Sequence, residues 1–127
     1  MILYIERLGS GWGGIQGAYV VNTGRRISWE VELKKREENQ IFEVVRSAEK
    51  HNLKEKRIVG DFSLLDFFLE STPKKKLPVT MDHQVDRMFC VDINKQSVKC
   101  VKDTNNDFFE PDNAMINQKL EELLLQL

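Results

Sequence analysis

Residues 26–33 alternate strictly, with Ile27, Trp29, Val31 and Leu33 in one set and Arg26, Ser28, Glu30 and Glu32 in the other. Successive side chains of a strand point to opposite faces, so the pattern predicts a strand that is buried on one side and wet on the other. Strands of an all-parallel sheet are covered on both faces and read as continuous apolar runs, so this alternation selects an antiparallel sheet. Residues 18–21 form a second run, and Asn22-Thr23-Gly24 between the two completes a hairpin.

The remaining elements follow from changes of period. Residues 1–8 read as a strand, and residues 9–17 as a loop that holds five of the seven glycines. From Glu37 to His51 the spacing becomes helical, with Ile41, Val45 and Ala48 on one stripe and Phe42 beside it. Ile58 and Val59 suggest a short strand before Gly60. Asp61 or Ser63 caps a short helix carrying Leu64, Leu65, Phe67, Phe68 and Leu69, which ends before Pro73 and is apolar nearly all round. Such a helix is expected to be buried. Residues 71–78, with three lysines between two prolines, read as an exposed connection within the same domain. A hairpin over residues 85–103 turns at 94–97, which sets Val91 opposite Cys100 and Cys90 opposite Val101. The two thiols then face opposite sides of the sheet and stay reduced. Asp112 or Asn113 caps a last helix with Ile116, Leu120, Leu123, Leu124 and Leu127 on one side, which packs on the sheet or on a second copy.

At 14.8 kDa the chain buries about two-thirds of its unfolded surface, enough for one core. The expected architecture is α+β: a single two-layer domain over residues 1–127, with a mainly antiparallel sheet of about five or six strands and about three helices largely on one face. The apolar start meets Glu6 and Arg7 at once, unlike a secretory leader, and no run approaches the roughly 18 apolar residues that cross a bilayer. A cytoplasmic location without a membrane partner is expected.

The glycine cluster is the sharpest local motif. Gly9-Ser10-Gly11-Trp12-Gly13-Gly14 fits G-x-G-x-x-G after a strand, but a dinucleotide fold needs a helix to follow, and residues 18–24 announce a strand and a turn. With Val20, the glycines also resemble the phosphate-covering loop of protein kinases. That family needs H-R-D and D-F-G motifs; the first is absent and Asp61-Phe62-Ser63 lacks the glycine of the second. What remains is a loop between strands that presents Trp12 to a partner, aromatic side chains being enriched at interface hot spots. Asp103-Thr104-Asn105-Asn106-Asp107 opens like a calcium loop, yet Phe108 replaces the required glycine and Ala114 the bidentate glutamate. His51, His83, Cys90, Cys100, Asp82 and Asp86 show no zinc-ligand spacing, and a Cys90–His83 nucleophile lacks an orienting group and an oxyanion site. No cofactor, metal or catalytic residue is assigned, and the expectation is a protein that is not an enzyme.

Charge supplies the functional expectation. The 19 basic and 20 acidic side chains nearly balance, but Lys34-Lys35-Arg36, Lys54 with Lys56 and Arg57, and Lys74-Lys75-Lys76 hold nine of the bases, whereas residues 103–127 hold six acids and one lysine. The leading reading is a non-catalytic protein-binding module, a small inhibitor or toxin-neutralising immunity protein steered onto a basic protein partner. Its expected contact residues are Trp12, Asp107, Phe108, Phe109, Glu110 and Asp112. The alternative is a nucleic-acid-associated protein whose three basic clusters converge. The apolar stripe of the last helix could also serve a homodimer.

Overall fold

A computed structural model describes residues 1–8, 16–48, 50–51, 54–71, 74–77, 86–103, 108–111 and 113–127. Strands β1 (Ile2–Arg7), β2 (Gly17–Asn22) and β3 (Ile27–Val31) are followed by α1 (Glu38–Ala48), β4 (Glu55–Arg57), α2 (Ser63–Ser71) and β5 (Lys74–Leu77). Then come β6 (Asp86–Asp92), β7 (Ser97–Asp103), β8 (Phe108–Pro111) and α3 (Ala114–Leu125). All pairings are antiparallel, in the order β4-β3-β2-β1-β6-β7-β8-β5. The fold is thus the expected α+β domain with an antiparallel sheet and three helices. Five strands of five to seven residues form the body of the sheet, and three strands of three or four residues extend it.

The helices divide between the two faces. Leu3 and Ile5 of β1 join Tyr19, Val21, Met88 and Val101 in a core closed by α2 and α3, while Tyr4 joins Ala18, Val20, Trp29, Phe89 and Val91 under α1. The centre of the sheet is therefore covered on both sides, rather than on one as in a two-layer arrangement. The cause lies in β1 and β2, where residues 3–5 and 18–21 are apolar at every position and so present hydrophobic surface to both faces. One helix stripe serves the second face: Ile41, Val45 and Ala48 of α1 are all buried.

Two hairpins flank β1, and their turns share one chemistry. Asn22 Oδ1 accepts from Arg25 N at 3.0 Å, and Asp92 Oδ1 accepts from Lys95 N at 3.1 Å. Each turn then closes on a left-handed residue, Arg26 at φ 57° and Gln96 at φ 52°. That conformation costs a side-chain-bearing residue about 1 kcal/mol, so Gly24 is not where the first turn needed a glycine. The second turn spans residues 93–96, so that Val91 pairs with Val98 and Phe89 with Cys100, two residues from the expected register. A slip of two keeps every side chain on its face. No disulfide joins Cys90 and Cys100.

A β-bulge between Met88 and Phe89 on the partner strand leaves Val101 as the extra residue and pairs Lys102 with Met88. Val101 and Lys102 thereby both turn toward the α3 side, where Lys102 would otherwise share a face with Cys100. Gly60, at φ 135°, turns the chain between β4 and α2 in a conformation that L side chains rarely adopt. Asp61 Oδ1 then accepts from Ser63 N at 3.0 Å, and Asn113 Oδ1 accepts from Met115 N at 2.9 Å as the N-cap of α3. Ile116, Leu120, Leu123 and Leu124 of α3 are buried on the sheet, so the stripe that could have served a homodimer is occupied within the chain.

Candidate functional site

Ionisable side chains gather at the end of β1, one group on each face. Glu6 is fully buried on the α1 side and accepts from Tyr4 Oη at 3.1 Å, from the Arg36 backbone N–H at 2.9 Å and from Arg87 Nη1 at 2.6 Å. Arg36 Nη1 donates to Tyr4 Oη at 2.8 Å, and the Arg87 guanidinium lies 4.8 Å from the centre of the Phe89 ring. Burial pushes the Tyr4 phenol up to about 12, against the pull of the Arg36 hydrogen bond. The next residue, Arg7, points the other way. Its Nε lies 3.5 Å from Asp86 Oδ1, and its Nη1 donates to the Leu124 carbonyl at 3.0 Å. Lys102 Nζ bridges Asp86 at 4.0 Å and Glu121 at 3.8 Å. Burial holds the Asp86 carboxyl above its ordinary value, outweighing the attraction of Lys102 and Arg7.

These clusters are structural. The Glu6 carboxylate is surrounded by donors and offers no open position to a substrate, and removing one member of such a buried pair costs about 3–5 kcal/mol. Among the described residues, no group of three or more His, Cys, Asp or Glu side chains gathers at metal-binding distance. Arg36 belongs to the basic run Lys34-Lys35-Arg36, yet it is 5% exposed. The one sequence signal for Glu6 is its place directly after the apolar run of a central strand.

The expected contact residues fare unevenly. Trp12, Asp107 and Asp112 lie outside the described residues, as do Asp82 and His83. Phe108, Phe109 and Glu110 belong to β8, which pairs with β5 so that Glu110 is opposite Lys75, Phe109 opposite Lys76 and Phe108 opposite Leu77. Residues 107–112 belong to the acidic 103–127 stretch, and Lys74-Lys75-Lys76 is one of the three basic runs. Strand pairing sets the backbones of β8 and β5 side by side. Two of the three basic runs stand apart. Lys56 and Arg57 lie on β4 at one edge of the sheet and Lys74–Lys76 on β5 at the other, seven strand steps apart. Lysine and arginine on an edge strand discourage pairing with other chains, which fits the exposed Lys56 and Arg57 of β4.

The feature that sequence reasoning missed is on α2. Leu65 and Leu69 are buried as expected, with Phe62 just before the helix, but Leu64 is 40% and Phe67 63% exposed. At 100° per residue, Ser63, Phe67 and Ser71 face outward, with Leu64 and Phe68 on one flank and Glu70 on the other. Phe67 and Phe68 meet edge to face at 5.6 Å. The expectation of burial all round failed because a helix laid on a sheet hides only the stripe that faces it. Beside α2, Val59 N donates to Gln126 Oε1 at 2.7 Å, and both Val59 and Leu125 are exposed. Comparison with protein-family models, curated proteins and solved structures finds no match to the chain.

Proposed function

We propose that this chain is a non-catalytic protein-binding module of the inhibitor or toxin-neutralising immunity type, acting by covering part of a partner's surface. The observation that carries the reading is the outward pair Leu64 and Phe67 on α2, which the core does not use, with half-buried Phe68 meeting Phe67 edge to face beside them. Large exposed apolar groups with polar neighbours mark interaction surfaces, and a rigid aromatic is the side chain that most often anchors one. The buried carboxylate and arginines at the end of β1 support the same reading, because they are committed to holding strands and connections together. The nucleic-acid alternative finds less support, because β4 and β5, which carry two of the three basic runs, stand at opposite edges of the sheet.

The test is affinity purification from the native host with the wild-type chain and with Phe67→Ser as parallel baits. A partner that docks on α2 is recovered in stoichiometric amount by the first and is depleted by the second. Losing one anchor should cost about 2 kcal/mol, or roughly thirtyfold in Kd. Equal recovery by both baits would remove α2 from the interface.

A further inference from the structure

Arg36, 5% exposed, is a buried cation that the chain itself uses only in part. Its backbone is held from both sides, the N–H donating to Glu6 Oε1 at 2.9 Å and the carbonyl accepting from Arg87 Nη2 at 3.2 Å. Its guanidinium lies 5.7 Å from the centre of the Tyr4 ring and donates through Nη1 to the Tyr4 hydroxyl. That acceptor is a neutral phenol, because burial pushes its pKa up to about 12. Among the described residues, no carboxylate lies within 4.0 Å of this guanidinium, and its Nε and Nη2 hold no hydrogen bond. The nearest carboxylates are turned to the other arginine: Glu6 lies 2.6 Å from Arg87 Nη1, and Asp103 stands opposite Arg87 in the pairing of β6 with β7. A buried guanidinium with an open edge is a ready receptor for a carboxylate, whose two oxygens match its planar fork.

Arg36 lines a cleft of about 810 Å³ between the 32–37 connection, α1 and the β6–β7 turn. Small-ligand sites run from about 300 to 1,000 Å³. Half-buried Phe42, Val44 and Val98 give the cleft apolar wall. Its other charges are Lys34, Glu38 and Glu43, the last 3.9 Å from Arg46. The two glutamates repel a ligand with several negative charges, whereas a single carboxylate can meet Arg36 and leave both exposed side chains in water. We infer that this cleft binds a small organic monocarboxylate, with its carboxylate on the open edge of Arg36 and its apolar body on Phe42, Val44 and Val98. The site lies on the α1 face of the sheet, opposite α2, and stands whether or not α2 docks a protein.

The probes are 2-naphthoate, the neutral 2-naphthamide of nearly the same shape, and 2-naphthyl phosphate, which carries close to two charges at neutral pH. Each is titrated into the isotope-labelled full chain and followed by backbone amide and arginine side-chain N–H shifts. Naphthoate is expected to shift Arg36, Phe42 and Val98 saturably with a Kd of about 1 mM or below, and to bind at least about tenfold more tightly than the amide. The phosphate should bind no more tightly than naphthoate. Arg36→Lys keeps the charge but loses the fork and should remove most of the preference for naphthoate over the amide, whereas Phe67→Ser on the other face should leave it unchanged. If Arg36→Lys fails to fold, the three probes on the wild-type chain decide alone. An amide that binds the cleft as tightly as naphthoate, or a phosphate that binds about tenfold more tightly, would overturn the monocarboxylate inference. So would shifts that avoid Arg36 with all three probes.

Discussion

Helices α2 and α3 lie side by side on one face of the sheet, and they use their apolar side chains differently. In α3, Ile116, Leu120, Leu123 and Leu124 go to the sheet, and its exposed apolar side chains, Met115 and Leu125, stand apart near the two ends of the helix rather than together as on α2. In α2, two leucines go inward and another leucine and a phenylalanine go out to solvent. Both helices are short and capped, and both close the same core. One inward stripe is therefore enough for packing here, and the second stripe on α2 is surplus to the fold.

The contrast can be broken by experiment. Leu120, 1% exposed, marks what an inward position is worth: Leu120→Ala should cost about 2–5 kcal/mol in urea denaturation, as large-to-small changes in packed cores do. A cost under about 1 kcal/mol would mean that the seat of α3 is loose and the comparison with α2 uninformative.

A smaller effect sharpens how α3 is fastened. Lys102 joins Asp86 on the sheet to Glu121 on α3, and the Asp86 carboxyl binds its proton more tightly in the folded chain than in the unfolded one. The native state therefore holds more protons across the window between the ordinary carboxylate range, about pH 4, and the raised value. Stability should fall as pH rises through that window, the opposite of a carboxylate whose folded pKa is depressed. Denaturation of wild type and Asp86→Asn at several acidic pH values checks this: the wild-type advantage should shrink with rising pH, and a difference independent of pH would show that Asp86 titrates as it does unfolded.

Much of this was legible in the residues. The alternation in 26–33 gave the antiparallel sheet, Asn113 gave the start of α3, and the parity of the second hairpin gave two unbridged thiols even though its turn lies earlier than expected. The second covered face was also written in the apolar runs of β1 and β2, but the single alternating strand outweighed them. Other features depend on neighbours that sequence order does not supply. Arg36 looks like a member of a solvated basic run until Tyr4 and Glu6 are placed beside it. Whether 107–112 forms an acidic pole depends on which strand β8 pairs with, and β5 lies some thirty residues away in sequence. The apolar excess on α2 was visible, but composition alone cannot distinguish a helix buried all round from one that offers its outer stripe.

The smallest expected change is the most telling. Phe67→Ser and Leu64→Gln, combined, remove the outward stripe with little change in helix propensity. If the stripe is surplus to the fold, the doubly substituted chain should unfold in urea within about 1 kcal/mol of wild type, as surface substitutions generally do. A loss of about 2 kcal/mol or more, of the size expected from a core position, would contradict the account and return Phe67 to the structure of the protein itself.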